Sequence, residues 1–161
     1  MSTPLRVLEF LSLSIWLGSV VFLSFAVAPG AFAVLGSREQ AGMFVGMALA
    51  RLHSIGIASG ALFLLAHVLA AKSPRALADL AALAVILMLV LTLVSQFAVT
   101  PRITHLRAEM KSQFGSVDST PPGNDLHLQF NRLHRYSIWL ESGVLLAGVL
   151  ALTLLVPRQP R

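Results

Sequence analysis

Cysteine is absent from this 161-residue chain. Without thiols there can be no disulfide, zinc–thiolate site, iron–sulfur cluster or cysteine nucleophile. Charge is scarce too: 12% of residues are Asp, Glu, Lys or Arg, about half the usual share of a soluble domain. Also missing are a phosphate-binding loop, a metalloprotease helix and a nucleophile–base pair, so a non-enzymatic role is favoured over an enzyme. The net charge of +5 is no nucleic-acid footprint. The basic residues gather at helix ends and loops, where they meet lipid head groups. The lipid bilayer is therefore the expected partner, with no nucleic acid. A homo-oligomer or a larger membrane complex is left open.

Long apolar runs take up the space. They cover residues 10–28, 55–71, 80–99 and 138–156 in a chain that is 56% hydrophobic. As helices rising about 1.5 Å per residue, each spans roughly 26–30 Å, the thickness of a hydrocarbon core. The expected fold is an all-α, integral membrane four-helix bundle, with helices extended beyond one membrane face. A single transmembrane domain over 1–161 is expected. The first run ends in Ala26-Val27-Ala28, which has the small-x-small look of a signal-peptide cleavage site. Pro29 just after it is a poor residue for a cut, and Glu9 interrupts the run, so an uncleaved first helix is expected.

The helices are expected at about 5–28, 38–71, 75–113 with a break near 101, and 126–156. Pro29-Gly30 should end the first. Ser37 caps the second, with Gln40 completing a capping box. Ser73 and Pro74 start the third, Asp125 caps the fourth, and Pro157 ends it. Four crossings put both termini on one face. That face carries Arg6, Lys72, Arg75, Arg158 and Arg161 in short segments, so an inner or plasma membrane with cytoplasmic termini is expected.

Two polar stripes stand out. Gly46, His53, Gly60 and His67 recur at heptad spacing, and so do His127, His134, Glu141 and Gly148. Seven residues are close to two turns, so each set lies on one face and should point into the bundle. Gly56 and Gly60 form a small-xxx-small packing motif. Judged from where the apolar cores begin, Arg51, His53, Arg102, His105, Arg132, His134 and Arg135 converge on one rim, with Glu141 about two turns deeper. The rim can be a belt of interfacial anchors, a pocket for an anion or small molecule, or a metal or haem site with His53 and His134 as facing ligands. His67 has Gly148 where a mate would be needed and fits a hydrogen-bonded core histidine. Glu141 suits either an interhelical hydrogen bond to Ser12, Ser14 or Ser19, or a proton or cation relay completed by Thr92, Ser95 and Gln96.

Several segments carry a resemblance. They are Trp16-Leu17-Gly18, Val27-Ala28-Pro29, Ala41-Gly42, Thr100-Pro101-Arg102 and Phe130-Asn131-Arg132-Leu133-His134-Arg135-Tyr136-Ser137. Together they resemble the small membrane proteins typified by transmembrane protein 205. That family has no established mechanism, although its eukaryotic member is linked to platinum-drug resistance. Its fold is similar to copper-resistance D-like proteins and to a haem-binding protoporphyrinogen oxidase type. The resemblance therefore implies haem b or copper as a cofactor, with His134 matching the motif histidine. The expected function is binding or moving a small solute or metal ion. The alternatives are a haem- or copper-binding redox protein and a structural accessory subunit.

Overall fold

The computed structural model describes residues 3–156. Four long helices cover Pro4–Val34, Arg38–Ala71, Leu80–Phe114 and Asp125–Leu155, and the described residues contain no strand. The helices are 31, 34, 35 and 31 residues long. At 1.5 Å per residue they measure roughly 46–53 Å, well beyond a hydrocarbon core of about 30 Å. The protein is an integral membrane four-helix bundle whose surplus length stands at one end. Phe25, Leu65, Leu80, Phe97 and Leu146 are exposed on its outside because lipid is the solvent there. Arg158 and Arg161, expected as anchors, and Pro157, expected to end the fourth helix, lie outside the described residues.

The first and second helices pack closely, as do the third and fourth. The second also packs on the third, and the first on the fourth, which closes the ring. Leu13, Trp16, Val20, Phe63, Val85, Met88 and Val144 fill the centre.

The first helix does not end at Pro29. It passes through a π turn, Leu23–Val27, and continues to Val34. Proline has no N–H and crowds the carbonyl four residues back, which would break an α-helix. The wider turn absorbs the misfit, with the Ala28 N–H donating to the Leu23 carbonyl. The expected break near 101 is resolved in the same way. A π turn at Ser95–Val99 precedes Pro101, and both the N–H and the hydroxyl of Thr100 donate to the Ser95 carbonyl.

Two helix starts also differ from expectation. Ser73 and Pro74 begin only a short 3₁₀ turn, Pro74–Ala78. The third helix starts after Asp79, whose Oδ1 accepts from the Ala82 N–H at 2.8 Å. Asn124, rather than Asp125, caps the fourth helix by accepting from the Leu126 N–H at 2.9 Å. The second helix starts as its capping residue indicates, with Ser37 accepting from the Gln40 N–H at 3.1 Å.

The two halves of the chain are alike. Phe25-Ala26-Val27-Ala28-Pro29 is matched by Phe97-Ala98-Val99-Thr100-Pro101, and Arg51-Leu52-His53 by Arg132-Leu133-His134. Burial follows the same correspondence. Glu9, Ser12, Leu13, Trp16 and Val20 are buried in the first helix, and their counterparts Ala81, Ala84, Val85, Met88 and Thr92 are buried in the third. Gly56, Phe63 and Ala66 likewise match Ser137, Val144 and Ala147.

Candidate functional site

The second helix carries two histidines on one stripe. His53 is 0% exposed. Its Nδ1 lies 2.7 Å from Gln96 Oε1 and its Nε2 lies 2.7 Å from Glu141 Oε1, so one imidazole ties together the second, third and fourth helices. Gln96 sits within the π turn before Pro101, a kind of irregularity often found at functional sites.

His67 lies 14 residues further along the same helix, which corresponds to about 21 Å of rise. Its Nδ1 is 3.2 Å from Glu9 Oε1 and its Nε2 is 2.5 Å from Asp79 Oδ2. Phe63 stacks on the ring, with centroids 5.6 Å apart. Asp79 serves twice, since its other oxygen caps the third helix. This cluster ties the first helix to the second and to the start of the third. It opens into a cleft of about 570 Å³ lined by Arg6, Glu9, Phe10, His67, Asp79 and Leu155.

The two clusters bracket the apolar core. His53, Gln96 and Glu141 lie within about a turn of one end of the runs 55–71, 80–99 and 138–156. Glu9, Asp79 and His67 lie at the other end. In each cluster both imidazole nitrogens face oxygen atoms, so a proton can sit on the ring or on a carboxylate with little movement of heavy atoms. Chemically these are proton-holding groups near opposite membrane surfaces.

The expected rim is not assembled as a pocket. Arg51, Arg102, His105, Arg132, His134 and Arg135 are all exposed. His105 faces Glu109 at 3.7 Å with its side chain 73% exposed. His134 stacks on Phe130, with centroids 6.1 Å apart, and the Arg107 guanidinium lies over the same Phe130 ring at 5.3 Å. His53 and His134 therefore do not meet. His53 is level with Glu141, and His134 lies two turns further out along the fourth helix. Both nitrogens of His53 already have partners, so the arrangement does not fit a haem or copper ion shared by these two histidines. Among the described residues, no group of three or more His, Asp or Glu has metal-holding geometry.

The misjudged depth has a physical origin. In the first hairpin, Glu9 meets His67. Their counterparts are Ala81 and Gly148, but Gly148 instead lies against Met88, seven residues further along the third helix. The fourth helix is thus docked one heptad out of step with the second. A heptad keeps the face, so Glu141 takes the level that His134 would hold in a symmetrical bundle. Glu9 and Asp79 were not foreseen as partners of His67. The signal available was an acid immediately preceding each of the apolar runs 10–28 and 80–99.

A family profile described as a domain of unknown function, DUF4149, matches residues 11–112, well over half the chain. The chain belongs to the DUF4149 family. The DUF4149 match takes in His53, His67, Asp79 and Gln96, while Glu9 and Glu141 lie beyond it. No curated protein and no solved structure matches the chain. Nothing in these matches carries the name of transmembrane protein 205 or a likeness to copper-resistance D-like proteins, and the DUF4149 description assigns no activity.

Proposed function

We propose that this protein moves protons across its membrane, using the His67–Glu9–Asp79 and His53–Gln96–Glu141 clusters as the stations at either side. One observation carries this reading: two histidines on one helix stripe, each with carboxylate partners, stand at opposite ends of the apolar core. Ionisable groups inside a membrane bundle are costly to keep and typically mark ion or proton pathways. A proton entering the cleft beside His67 is taken up by the carboxylate–imidazole group there. It is later received by the His53–Glu141 pair and released toward the extended end. One proton enters and one leaves, so each crossing moves one positive charge and needs a compensating ion flow.

The orientation with cytoplasmic termini, in an inner or plasma membrane, belongs to the same proposal. The cleft beside His67 would then face the cytoplasm.

The test is acidification of liposomes holding the purified protein, read by an entrapped pH dye, with valinomycin and potassium providing the counter-flow. Vesicles with the wild-type chain should pass protons faster than empty ones, and His53→Gln or His67→Gln should return the rate to that of empty vesicles. Wild-type vesicles no leakier than empty ones would overturn the proposal.

A further inference from the structure

Several buried polar atoms between the two clusters have no hydrogen-bond partner. They are the Ser12 hydroxyl, the Trp16 indole N–H, the Thr92 hydroxyl and the Ser95 hydroxyl. Ser12 is 2% exposed, Thr92 1%, and Trp16 and Ser95 0%. An orphaned buried donor or hydroxyl costs about 1–3 kcal/mol unless something satisfies it. Such groups are few in native proteins, and an ordered water is the common explanation.

Three of these atoms come to one level. Gly56 is one turn beyond His53 on the second helix, and a Cβ placed on it would lie 2.4 Å from Trp16 Nε1. The indole N–H is thus one turn inward from His53. Thr92 lies one turn inward from Gln96 on the antiparallel third helix, and Ser95 adjoins Gln96 in sequence. Since Gln96 is bonded to His53, the Thr92 and Ser95 hydroxyls and the Trp16 N–H lie in the layer beneath the His53–Gln96 pair.

We infer that Trp16, Thr92 and Ser95 hold a buried water site, and that it is the inward hydrogen-bond link of the His53 cluster. The indole donates to the water, and the two hydroxyls accept from it or donate to it, giving the two to four polar partners that a buried water requires. The Ser12 hydroxyl, one turn inward from Glu9, holds the equivalent position for the His67 cluster. Between the two links lies a dry layer of Leu13, Phe63, Val85 and Met88 beside the Trp16 ring. Protons can therefore reach the dry layer from either side, and only opening of that layer joins the two paths. This rests on the transport reading above for its role, but the water site itself does not.

The experiment combines radiolytic hydroxyl labelling of the detergent-purified protein with the liposome proton assay. Buried side chains in a dry core escape labelling, whereas a bound water generates the radical in place. Trp16 should be oxidised readily in the wild type despite its burial. Thr92→Val with Ser95→Ala should suppress that oxidation and slow proton flux about tenfold, the rate equivalent of losing one hydrogen-bonded link. Replacing both hydroxyls by apolar groups of like shape is mild for stability, and thermal unfolding verifies that the variant is folded. An unlabelled Trp16 in the wild type overturns the water site whatever the flux. A labelled Trp16 with flux untouched by the double variant overturns its place on the path. Labelling without any wild-type flux upholds the water site and sinks the transport proposal.

Discussion

Replacing Gly56 by alanine adds one methyl group at the tightest point between the first two helices. A Cβ there would lie 2.4 Å from Trp16 Nε1 and 2.6 Å from Cε2, against an ordinary contact of 3.4–4 Å. The ring must therefore retreat by about 1 Å, in a core where overpacking costs about 1–3 kcal/mol. Retreat is hindered because Trp16 is 0% exposed and packed in the core. A shift that large belongs to the upper part of that range, about 2–3 kcal/mol, and alanine returns up to about 1 kcal/mol of helix propensity, so the net loss is about 1–2 kcal/mol. At roughly 2–4 °C per kcal/mol for a chain of this size, Tm should fall by about 2–8 °C in a thermal unfolding scan in detergent. Gly46 is the internal control, since a Cβ there meets nothing within 4 Å. Gly46→Ala should leave Tm unchanged or raise it by a few degrees, about what one kcal/mol of propensity supplies. In a Trp16→Phe background the added methyl has room, and the penalty should vanish as a coupling of about 1–2 kcal/mol. An unchanged Tm for Gly56→Ala, or an equal loss in the Trp16→Phe background, would refute the close approach.

Two further outcomes are expected. Glu141→Leu leaves the His53 ring unsatisfied on one side inside the bundle and should cost about 1–3 kcal/mol, whereas Glu141→Gln keeps a hydrogen-bonding group there and should cost less. Thermal unfolding ranks the pair, and the reverse order would contradict the His53–Glu141 bond. Pro101→Ala restores a backbone donor and removes the crowding that the π turn relieves. Deuterium exchange of the amides at 95–99 should then slow, and unaltered exchange would mean that proline is not what keeps that turn wide.

The spans were legible because apolar length is a crude and robust signal that local detail does not disturb. The start of the second helix was legible because Ser37 and Gln40 form a cap whose chemistry is complete within four residues. Pro29 misled for the opposite reason, since the helix runs on past it to Val34. Whether a proline stops a helix depends on whether the preceding turn can widen, and that is settled by packing along the whole span. Asp79 fell inside the expected third helix because Ser73 and Pro74 offer a complete start signal just before it, and its imidazole partner lies 12 residues back in the chain. The stripe on the second helix was readable from spacing alone, which places His53 and His67 on one face. Their partners were harder to read, since depth was inferred by aligning the ends of apolar runs. Such alignment is good to a turn or two, and here two turns separate His134 from Glu141. Arg-Leu-His recurs in both halves, yet the docking sets the two histidines apart.

The offset of the fourth helix against the third bears on how two like halves come to hold unlike histidines. Two hairpins paired in the same internal register would bring both Arg-Leu-His segments to the same depth and build two equivalent half-sites around a shared axis. Sliding the fourth helix along the third by a heptad leaves its apolar face where it was, so the core need not be redesigned. It nevertheless exchanges a histidine for a glutamate opposite His53, and it sends His134 outward to stack on Phe130. Asymmetry in this bundle is therefore a matter of helix register, with the same residue types serving as an interior hydrogen-bonding group in one half and as an exposed, ring-stacked group in the other.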